Sequence, residues 1–158
     1  MPSPRELHAR VRDVTCGENV TIIHPANLYE CFLEEGVFVG PFVEIQRGVR
    51  IGHHSRIQSH SFICELVTIG AHCFIGHGVM FINDLFSDGH PAKTAEQWLP
   101  TCIGDHVSIG SNATILPVSI CSHTVIGAGS VVTKPITQPG IYAGNPARFI
   151  RSLPAQLQ

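Results

Sequence analysis

One stretch of the sequence gathers side chains that can move protons, and it interrupts an otherwise regular pattern. Asn83, Asp84 and His90 lie in residues 83–101, which also contain two prolines, one glycine and the only tryptophan. A neutral imidazole can accept a proton, a carboxylate can accept a proton or pair with an ammonium group, and an amide can orient a neighbouring group. Long excursions from a compact repeat are usually functional or disordered. These three residues are therefore candidates for chemistry, although Asn and Asp also serve simply to turn a chain.

Histidine and cysteine are the other side chains that could bind a metal or take part in catalysis. The chain has ten histidines and six cysteines in 158 residues. The cysteines form no CxxC pair, which favours reduced cysteines in a cytoplasmic protein. Many of the histidines occur at turn positions of the repeat described next, and we expect those to face solvent: His53, His54, His72, His106 and His123.

The elements that must position these residues follow from a period of six. Large apolar residues recur at every sixth position, and four of them are followed directly by glycine. The nine residues in this phase are Leu33, Val39, Ile45, Ile51, Ile57, Ile63, Ile69, Ile75 and Phe81. A hexapeptide period predicts a parallel β-helix with three short strands in each coil of about eighteen residues. The phased residue points inward, and the glycine lets the chain turn a tight corner.

The period shifts at two places. An earlier stretch runs one residue out of phase with Leu33 and comprises Val14, Val20 and Ala26, so we expect an extra residue near Tyr29–Glu30. After the excursion the period returns at Ile103, Ile109 and Ile115, then shortens to five residues before Ile120. This shortening predicts a compressed corner at Pro117 and Val118.

The ends of such a helix must be covered, because open strand edges invite unwanted pairing. Residues 138–158 predict a C-terminal cap that includes a short helix over 147–155, and Glu6–Val11 predict a cap at the other end. No linker interrupts the chain, so we predict one domain over residues 1–158. The fold prediction is thus an all-β, parallel β-helix with a protruding loop at 83–101 and a short C-terminal helix.

Composition argues against several classes of partner. The net charge is −2, and Lys and Arg are scattered, which disfavours a nucleic-acid or membrane surface. No apolar run approaches the ~20 residues of a membrane span. The first ten residues lack the apolar segment of a signal peptide, so we expect a cytoplasmic protein.

Three C-terminal motifs carry a family resemblance. IGSNATILP (109–117), IGAGSVVTKPI (126–136) and YAGNPAR (142–148), together with the hexapeptide run, resemble the left-handed β-helix acyltransferases that use acetyl-coenzyme A. Within that family, MFIND (80–84) and PTCIG (100–104), with Trp98 in the loop between them, look most like N-acetyltransferases of nucleotide-linked 3-amino sugars. Those enzymes make precursors of surface polysaccharides.

The resemblance implies homotrimers with each active site between adjacent subunits, and acetyl-coenzyme A bound as co-substrate along the C-terminal coils. Backbone groups near Gly110 and Ala128 would hold the pantetheine like an added strand. Phosphates and adenine would be bound by residues further along, namely Lys134, Asn145, Pro146, Arg148 and Arg151. Val118 stands where the family usually has glycine, so this corner departs from the family pattern.

The resemblance also assigns a role to Asn83, and residue type and position suggest roles for other residues near the loop. Asn83 would accept a hydrogen bond from the sugar amine and orient its lone pair, and Asp84 would pair with the ammonium form or accept its proton. His60 and Glu65 are candidates to line the sugar pocket, in the same or a neighbouring subunit, and His90 is a third candidate for binding the substrate. His90 lies in the excursion, as the catalytic histidine of related antibiotic and galactoside acetyltransferases does, but an amine needs a base less than a hydroxyl does.

Three alternatives remain open at this point. The first is a histidine-dependent O-acetyltransferase of the same superfamily, with His90 as base. The second is a metalloprotein like the gamma-class carbonic anhydrases, because IGHG around His77 resembles their second metal ligand. Their third ligand would fall at Ile82, which cannot bind a metal, so we expect no metal here. The third is a non-catalytic assembly subunit, which would not need the AGNPAR segment.

Overall fold

The chain winds into a left-handed parallel β-helix of about seven coils, with three sheets forming the sides of a triangular prism. The computed structural model describes residues 10–154. Sheet 1 contains β1 (Val11–Arg12), β4 (Asn27–Tyr29), β7 (Glu44–Ile45), β10 (Phe62–Ile63), β13 (Met80–Phe81), β16 (Thr114–Ile115) and β19 (Val131–Val132). Sheet 2 contains β2 (Thr15–Cys16), β5 (Phe32–Leu33), β8 (Arg50–Ile51), β11 (Val67–Ile69), β14 (Thr101–Ile103) and β17 (Ser119–Ile120). Sheet 3 contains β3 (Thr21–Ile22), β6 (Phe38–Val39), β9 (Arg56–Ile57), β12 (Phe74–Ile75), β15 (Ser108–Ile109), β18 (Thr124–Ile126), β20 (Gly140–Ala143) and β21 (Arg148–Arg151).

Each coil sends two residues of every hexapeptide into the core. The nine predicted inward residues from Leu33 to Phe81 are at most 2% exposed, which confirms the predicted phase. A second row, two positions earlier in each hexapeptide, is buried equally well: Cys31, Val37, Val43, Val49, Ser55, Ser61, Val67, Cys73 and Val79. The two buried serines are satisfied, since Ser55 donates to the carbonyl of Gly70 and Ser61 to that of Gly76, both at 2.8 Å. The nine residues predicted to point inward are therefore only one of the two rows that form the core.

The second row corrects the predicted phase shift near the N-terminus. Thr15 pairs with Phe32 and Leu28 pairs with Ile45, so these coils are seventeen residues long, against eighteen between Ile45 and Ile63. Val14, Val20 and Ala26 consequently belong to the second inward row. The prediction of an extra residue near Tyr29–Glu30 was wrong, because the chain there is one residue short.

The second predicted shift is present. Cys102 pairs with Ser119 and Thr114 pairs with Val131, a separation of seventeen residues in each case. The missing residue lies in the corner that contains Pro117 and Val118. Val118 is 8% exposed, so its side chain turns into the end of the core where the family pattern has glycine.

The predicted C-terminal helix is wrong. β20 and β21 form an antiparallel hairpin, with Ala143 paired to Arg148 and Tyr142 paired to Phe149. The Phe149 ring packs edge-on against Tyr142 at 5.4 Å between centroids, and aromatic and β-branched residues favour strands. The hairpin extends sheet 3 by two strands. Of the predicted N-terminal cap, Glu6–Val11, only the last two residues lie within the described residues, and Val11 belongs to β1.

Three corner columns run along the prism. Corner 1–2 follows the strands of sheet 1 and contains Glu65 and Asn83, corner 2–3 follows sheet 2 and contains His72, and corner 3–1 follows sheet 3 and contains His60 and Ala128. The predicted loop leaves corner 1–2 between β13 and β14, with one 3₁₀ turn at Ala95–Gln97. Within residues 10–154, no helix has the length and apolar character needed to cross a membrane.

A ladder of stacked histidines occupies corner 2–3. We call His54, His72, His106 and His123 the histidine ladder; each has a φ of 54–57°, a left-handed conformation that histidine tolerates better than most residues. Successive rings lie 5.3, 5.0 and 4.9 Å apart, because adjacent coils are spaced by about 4.8 Å. The first three ladder residues are exposed and His123 is half-buried, so the predicted turn positions are confirmed.

The histidine ladder predicts loss of stability in acid. Desolvation, followed by the charges of the neighbouring histidines, lowers the pKa of His72 below its ordinary 6.5. The unfolded chain then binds the proton more readily than the folded chain, so this contribution is constant above pH ~6.5 and falls as the pH drops below that value. We expect the melting temperature to decrease below pH ~6.5, and His72→Asn to reduce that decrease.

The matched control is His90→Asn, since His90 lies in the loop away from the ladder. It is expected to keep the wild-type acid profile. Identical pH dependence of the melting temperature in His72→Asn and wild type would contradict the prediction.

Candidate functional site

Asn83 is held at the point where the loop leaves the helix. Its backbone carbonyl accepts a hydrogen bond from the amide of Leu99 at 2.9 Å, which closes the base of the loop. Its side-chain Nδ2 donates to the backbone carbonyl of Glu65, one coil away, at 3.3 Å. A carbonyl can only accept, so this contact fixes which way the amide points. The Oδ1 atom accepts no hydrogen bond from any residue within 10–154, and it is left available to a ligand.

The side chain of Glu65 is engaged with Arg47 on the adjacent coil. The guanidinium of Arg47 donates from Nη2 to both carboxylate oxygens, at 3.1 and 3.3 Å. Glu65 is the more sheltered partner, with 19% of its side chain exposed against 58% for Arg47. The hydrogen bond and charge of Glu65 raise the pKa of Arg47. The pair fixes Glu65, whose backbone carbonyl in turn orients Asn83.

A hydrogen-bonded network extends from Glu65 across sheet 1. The amide of Glu65 donates to Gln46 Oε1 at 3.2 Å, and Gln46 Nε2 donates to Glu44 at 3.0 Å. Asn27 Nδ2 donates to the other oxygen of Glu44 at 3.3 Å. The sequence analysis missed Asn27, Glu44, Gln46 and Arg47. Arg47 could have been predicted from the sequence, because Arg47, Glu65 and Asn83 follow one another at intervals of eighteen residues, the length of one coil.

The carboxylate of Asp84 holds the loop together through hydrogen bonds to backbone amides. One carboxylate oxygen accepts from the amide of Phe86 at 2.9 Å, and the other accepts from the amide of Ala92 at 2.7 Å. These bonds fasten the first half of the loop to its middle. Both oxygens of the Asp84 carboxylate therefore bind backbone amides of the loop, while Oδ1 of Asn83 beside it has no donor among residues 10–154.

His90 lies near the tip of the loop, exposed, with Nδ1 at 3.0 Å from the carbonyl of Pro91. Because that carbonyl can only accept, Nδ1 carries the proton and Nε2 is the free acceptor of the neutral ring. His60 lies at corner 3–1, where its ring stacks on Phe42 at 4.9 Å between centroids. The structure thus brings Asn83 and Glu65 together at corner 1–2 and places His60 on a different corner of the same chain.

The residues assigned to coenzyme A divide between two corners. Gly110 and Ala128 are adjacent on corner 3–1, where a Cβ on Gly110 would collide with the backbone of Ala128. Asn145 and Pro146 lie in the turn between β20 and β21 at the same end, and the amide of Ala147 donates to the carbonyl of Val131 at 2.8 Å. Arg148 is exposed on β21.

Lys134 follows β19 at corner 1–2, on the column of Asn83. Within one chain, sheet 1 separates it from Gly110 and Ala128.

His77 makes a contact that was not predicted from the sequence. Its Nδ1 lies 2.8 Å from Ser59 Oγ, one coil away on corner 3–1. Within the part of the chain that the structure describes, no group of three or more His, Cys, Asp or Glu side chains is arranged to hold a metal ion. Ile82, at the position where a third ligand would stand, lies on the other side of sheet 1 from His77.

Comparison with known proteins agrees with this architecture. Residues 30–65 match the family model of the bacterial transferase hexapeptide (six repeats), and residues 100–134 match that of the hexapeptide repeat of succinyl-transferase. The bifunctional protein GlmU of Dichelobacter nodosus is 38% identical over 105 residues, which are 66% of this chain and 20% of GlmU. The chain thus spans about a fifth of the length of that curated relative.

Two solved structures are similar over most of the chain. A mutant of perosamine N-acetyltransferase from Caulobacter crescentus, in complex with CoA and GDP-perosamine, has a TM-score of 0.70 at 25% identity, covering 83% of this chain and 56% of that one. A hexapeptide-repeat acetyltransferase from Vibrio cholerae, complexed with acetyl coenzyme A, has a TM-score of 0.60 at 29% identity, covering 76% and 72%. With its coiled register, its glycine corners and these matches, the chain belongs to the hexapeptide-repeat transferase family.

Proposed function

We propose that the chain is an acetyl-coenzyme A-dependent N-acetyltransferase whose acceptor is an amino sugar linked to a nucleoside diphosphate. The observation that carries this proposal is the free Oδ1 of Asn83, fixed by the bond from its Nδ2 to Glu65. An acceptor held in this way can bind an amine N–H and turn the nitrogen lone pair toward the thioester. The similarity to a perosamine N-acetyltransferase and to an acetyl coenzyme A complex supports the same reaction class.

The chemistry needs little from the protein beyond positioning. The neutral amine attacks the thioester carbonyl, the C–N bond forms, and the C–S bond breaks to release coenzyme A as thiolate. The proton lost by the nitrogen passes to the departing thiolate or to water. Asn83 orients the amine before attack, Glu65 orients Asn83, and Arg47 holds Glu65 in place. Asp84 shapes the loop that borders this position.

The proposal extends to assembly and location. We propose a homotrimer of about three times 17.1 kDa with the coenzyme A groove between adjacent chains, as the family resemblance implies. We place the enzyme in the cytoplasm, in the synthesis of surface polysaccharides such as lipopolysaccharide.

A second candidate is O-acetylation with His90 as general base. It is favoured by one observation, the free Nε2 of an exposed ring whose Nδ1 is bonded to Pro91. A hydroxyl acceptor needs such a base, whereas an amine does not. The two candidates therefore differ in which residue the reaction depends on.

Removing Asn83 should harm acetyl transfer more than removing His90. We expect Asn83→Ala to lower kcat/KM on a nucleotide amino sugar by about 10²-fold or more, and His90→Ala by less than about tenfold. Light scattering should first establish that both variants keep the wild-type assembly. A collapse of activity in His90→Ala with near-normal Asn83→Ala would reverse the assignment in favour of O-acetylation.

Asp84 should matter through the shape of the loop. In Asp84→Ala both backbone amides lose their acceptor, so trypsin is expected to cleave after Lys93 faster than in the wild type. Asp84→Asn retains one acceptor oxygen and should give intermediate cleavage, with activity falling in parallel. Lost activity with unchanged cleavage in both variants would instead make Asp84 a direct participant in proton transfer.

Coenzyme A binding should depend on the cationic residues near the C-terminal coils. Calorimetry with acetyl-coenzyme A should give a complex, and Lys134→Ala and Arg148→Ala should each weaken it by about tenfold, since hydrogen bonds to charged groups contribute ~1.5–3 kcal/mol. Lys93→Ala, in the loop, is the matched control and should bind as wild type. An absence of binding by the wild type at sub-millimolar donor would remove the acetyltransferase proposal.

A further inference from the structure

Corner 3–1 carries an exposed aromatic side chain, that of Phe42, which has no part in the proposed reaction. The side chain of Phe42 is 57% exposed, although exposed phenylalanine costs solvation free energy. One face of its ring packs on His60, with the two rings inclined by 29°. The rest of the ring borders a hollow of about 230 Å³ lined by Pro25, Ala26, Asn27, Phe42, Val43 and Glu44.

The size of this hollow suits one flat ring system. Pockets that enclose a whole drug-sized ligand measure about 300–1,000 Å³. Phe42 and Pro25 give the hollow an apolar lining, and Glu44 and Asn27 add a carboxylate and an amide. A nucleobase combines the same two features, an apolar face and a hydrogen-bonding edge.

The carboxylate of Glu44 is held in a fixed orientation. It accepts one hydrogen bond on each oxygen, from Gln46 and from Asn27. Each carboxylate oxygen has a second lone-pair site, so Glu44 can still accept from a ligand. It offers no donor, and a ring nitrogen bearing a lone pair would be repelled there.

The hollow and Asn83 are the two ends of one hydrogen-bonded network. From Glu44 it passes through Gln46 to Glu65 and then to Asn83. Glu44 lies two coils from Met80, which precedes Asn83 by three residues, so the hollow and Asn83 are separated by roughly 10 Å along the helix axis at ~4.8 Å per coil and by the width of sheet 1. A ligand recognised at both ends needs a ring and an amine separated by a linker, as in a nucleoside-diphosphate amino sugar.

We infer that the hollow beside Phe42 binds the base of the nucleotide-linked acceptor, and that it selects bases with a protonated ring nitrogen. Guanine, uracil and thymine present such an N–H to Glu44, whereas adenine and cytosine can donate only from an exocyclic amino group, beside a ring nitrogen whose lone pair the carboxylate repels. The selection also excludes the adenine of coenzyme A from the acceptor's site. This inference rests on the proposed function for the identity of the ligand, and on Phe42 and Glu44 for its recognition.

Nucleotide binding to the full chain tests the inference directly. Calorimetry would use GDP, UDP, dTDP, ADP and CDP, with excess coenzyme A present to fill any adenine site. We expect at least one of the first three to bind, and ADP and CDP to bind at least about tenfold more weakly. Phe42→Ala should weaken binding by about tenfold or more, in line with the contribution of a stacked base. Glu44→Gln should abolish the preference among bases.

The matched control is Phe74→Ala, which removes another exposed phenylalanine, from β12 on sheet 3. It should bind nucleotides as the wild type does, with all variants showing wild-type melting temperatures. Equal binding of all five nucleotides, binding that is unchanged in Phe42→Ala, or no binding of any nucleotide would overturn the inference.

Kinetics separate this inference from the proposed function. In an active enzyme, Phe42→Ala should raise KM for the nucleotide amino sugar by about tenfold and leave kcat within about twofold. Acetyl transfer with an unchanged KM in Phe42→Ala would remove the inference and leave the function standing. Base-selective binding that depends on Phe42, without acetylation of any amino sugar, would remove the function and leave the inference standing.

Discussion

The stacking of one coil on the next is the interaction on which the rest of the structure depends. Each short strand is only two to four residues long and is stabilised by hydrogen bonds to the coils above and below. Two buried residues per hexapeptide keep the coils in register, because a shift of one residue would turn them outward. Residues about eighteen positions apart are thereby brought to about 4.8 Å from one another.

The candidate site is built from this stacking. Arg47, Glu65 and Asn83 touch because they occupy the same corner on three successive coils, and the histidine ladder forms on another corner for the same reason. The loop begins where β13 ends, so the β-helix sets the position of the first loop residues. A rigid repeat can in this way hold together a group of polar side chains that are far apart in the sequence.

Much of the fold and part of the site could be predicted from the sequence. Period six with glycine corners predicted the sheets, and the five-residue step before Ile120 predicted the shortened corner. The terminal helix was wrong because Phe149 and Ile150 read equally well as a strand, and only the free edge of sheet 3 decides between them. The N-terminal shift was misjudged because two inward rows, rather than one, carry the period.

The sequence by itself determined the coiled architecture, the place of the loop and the candidacy of Asn83, since these depend on local spacing and residue type. Only the tertiary structure decided which candidates act together. In the folded chain Asn83 donates a hydrogen bond to the backbone carbonyl of Glu65, and Asp84 accepts hydrogen bonds from backbone amides of the loop. His60 lies on another corner, where it stacks on Phe42. Partners of this kind depend on the register between coils and on backbone groups, which carry no residue-specific signal.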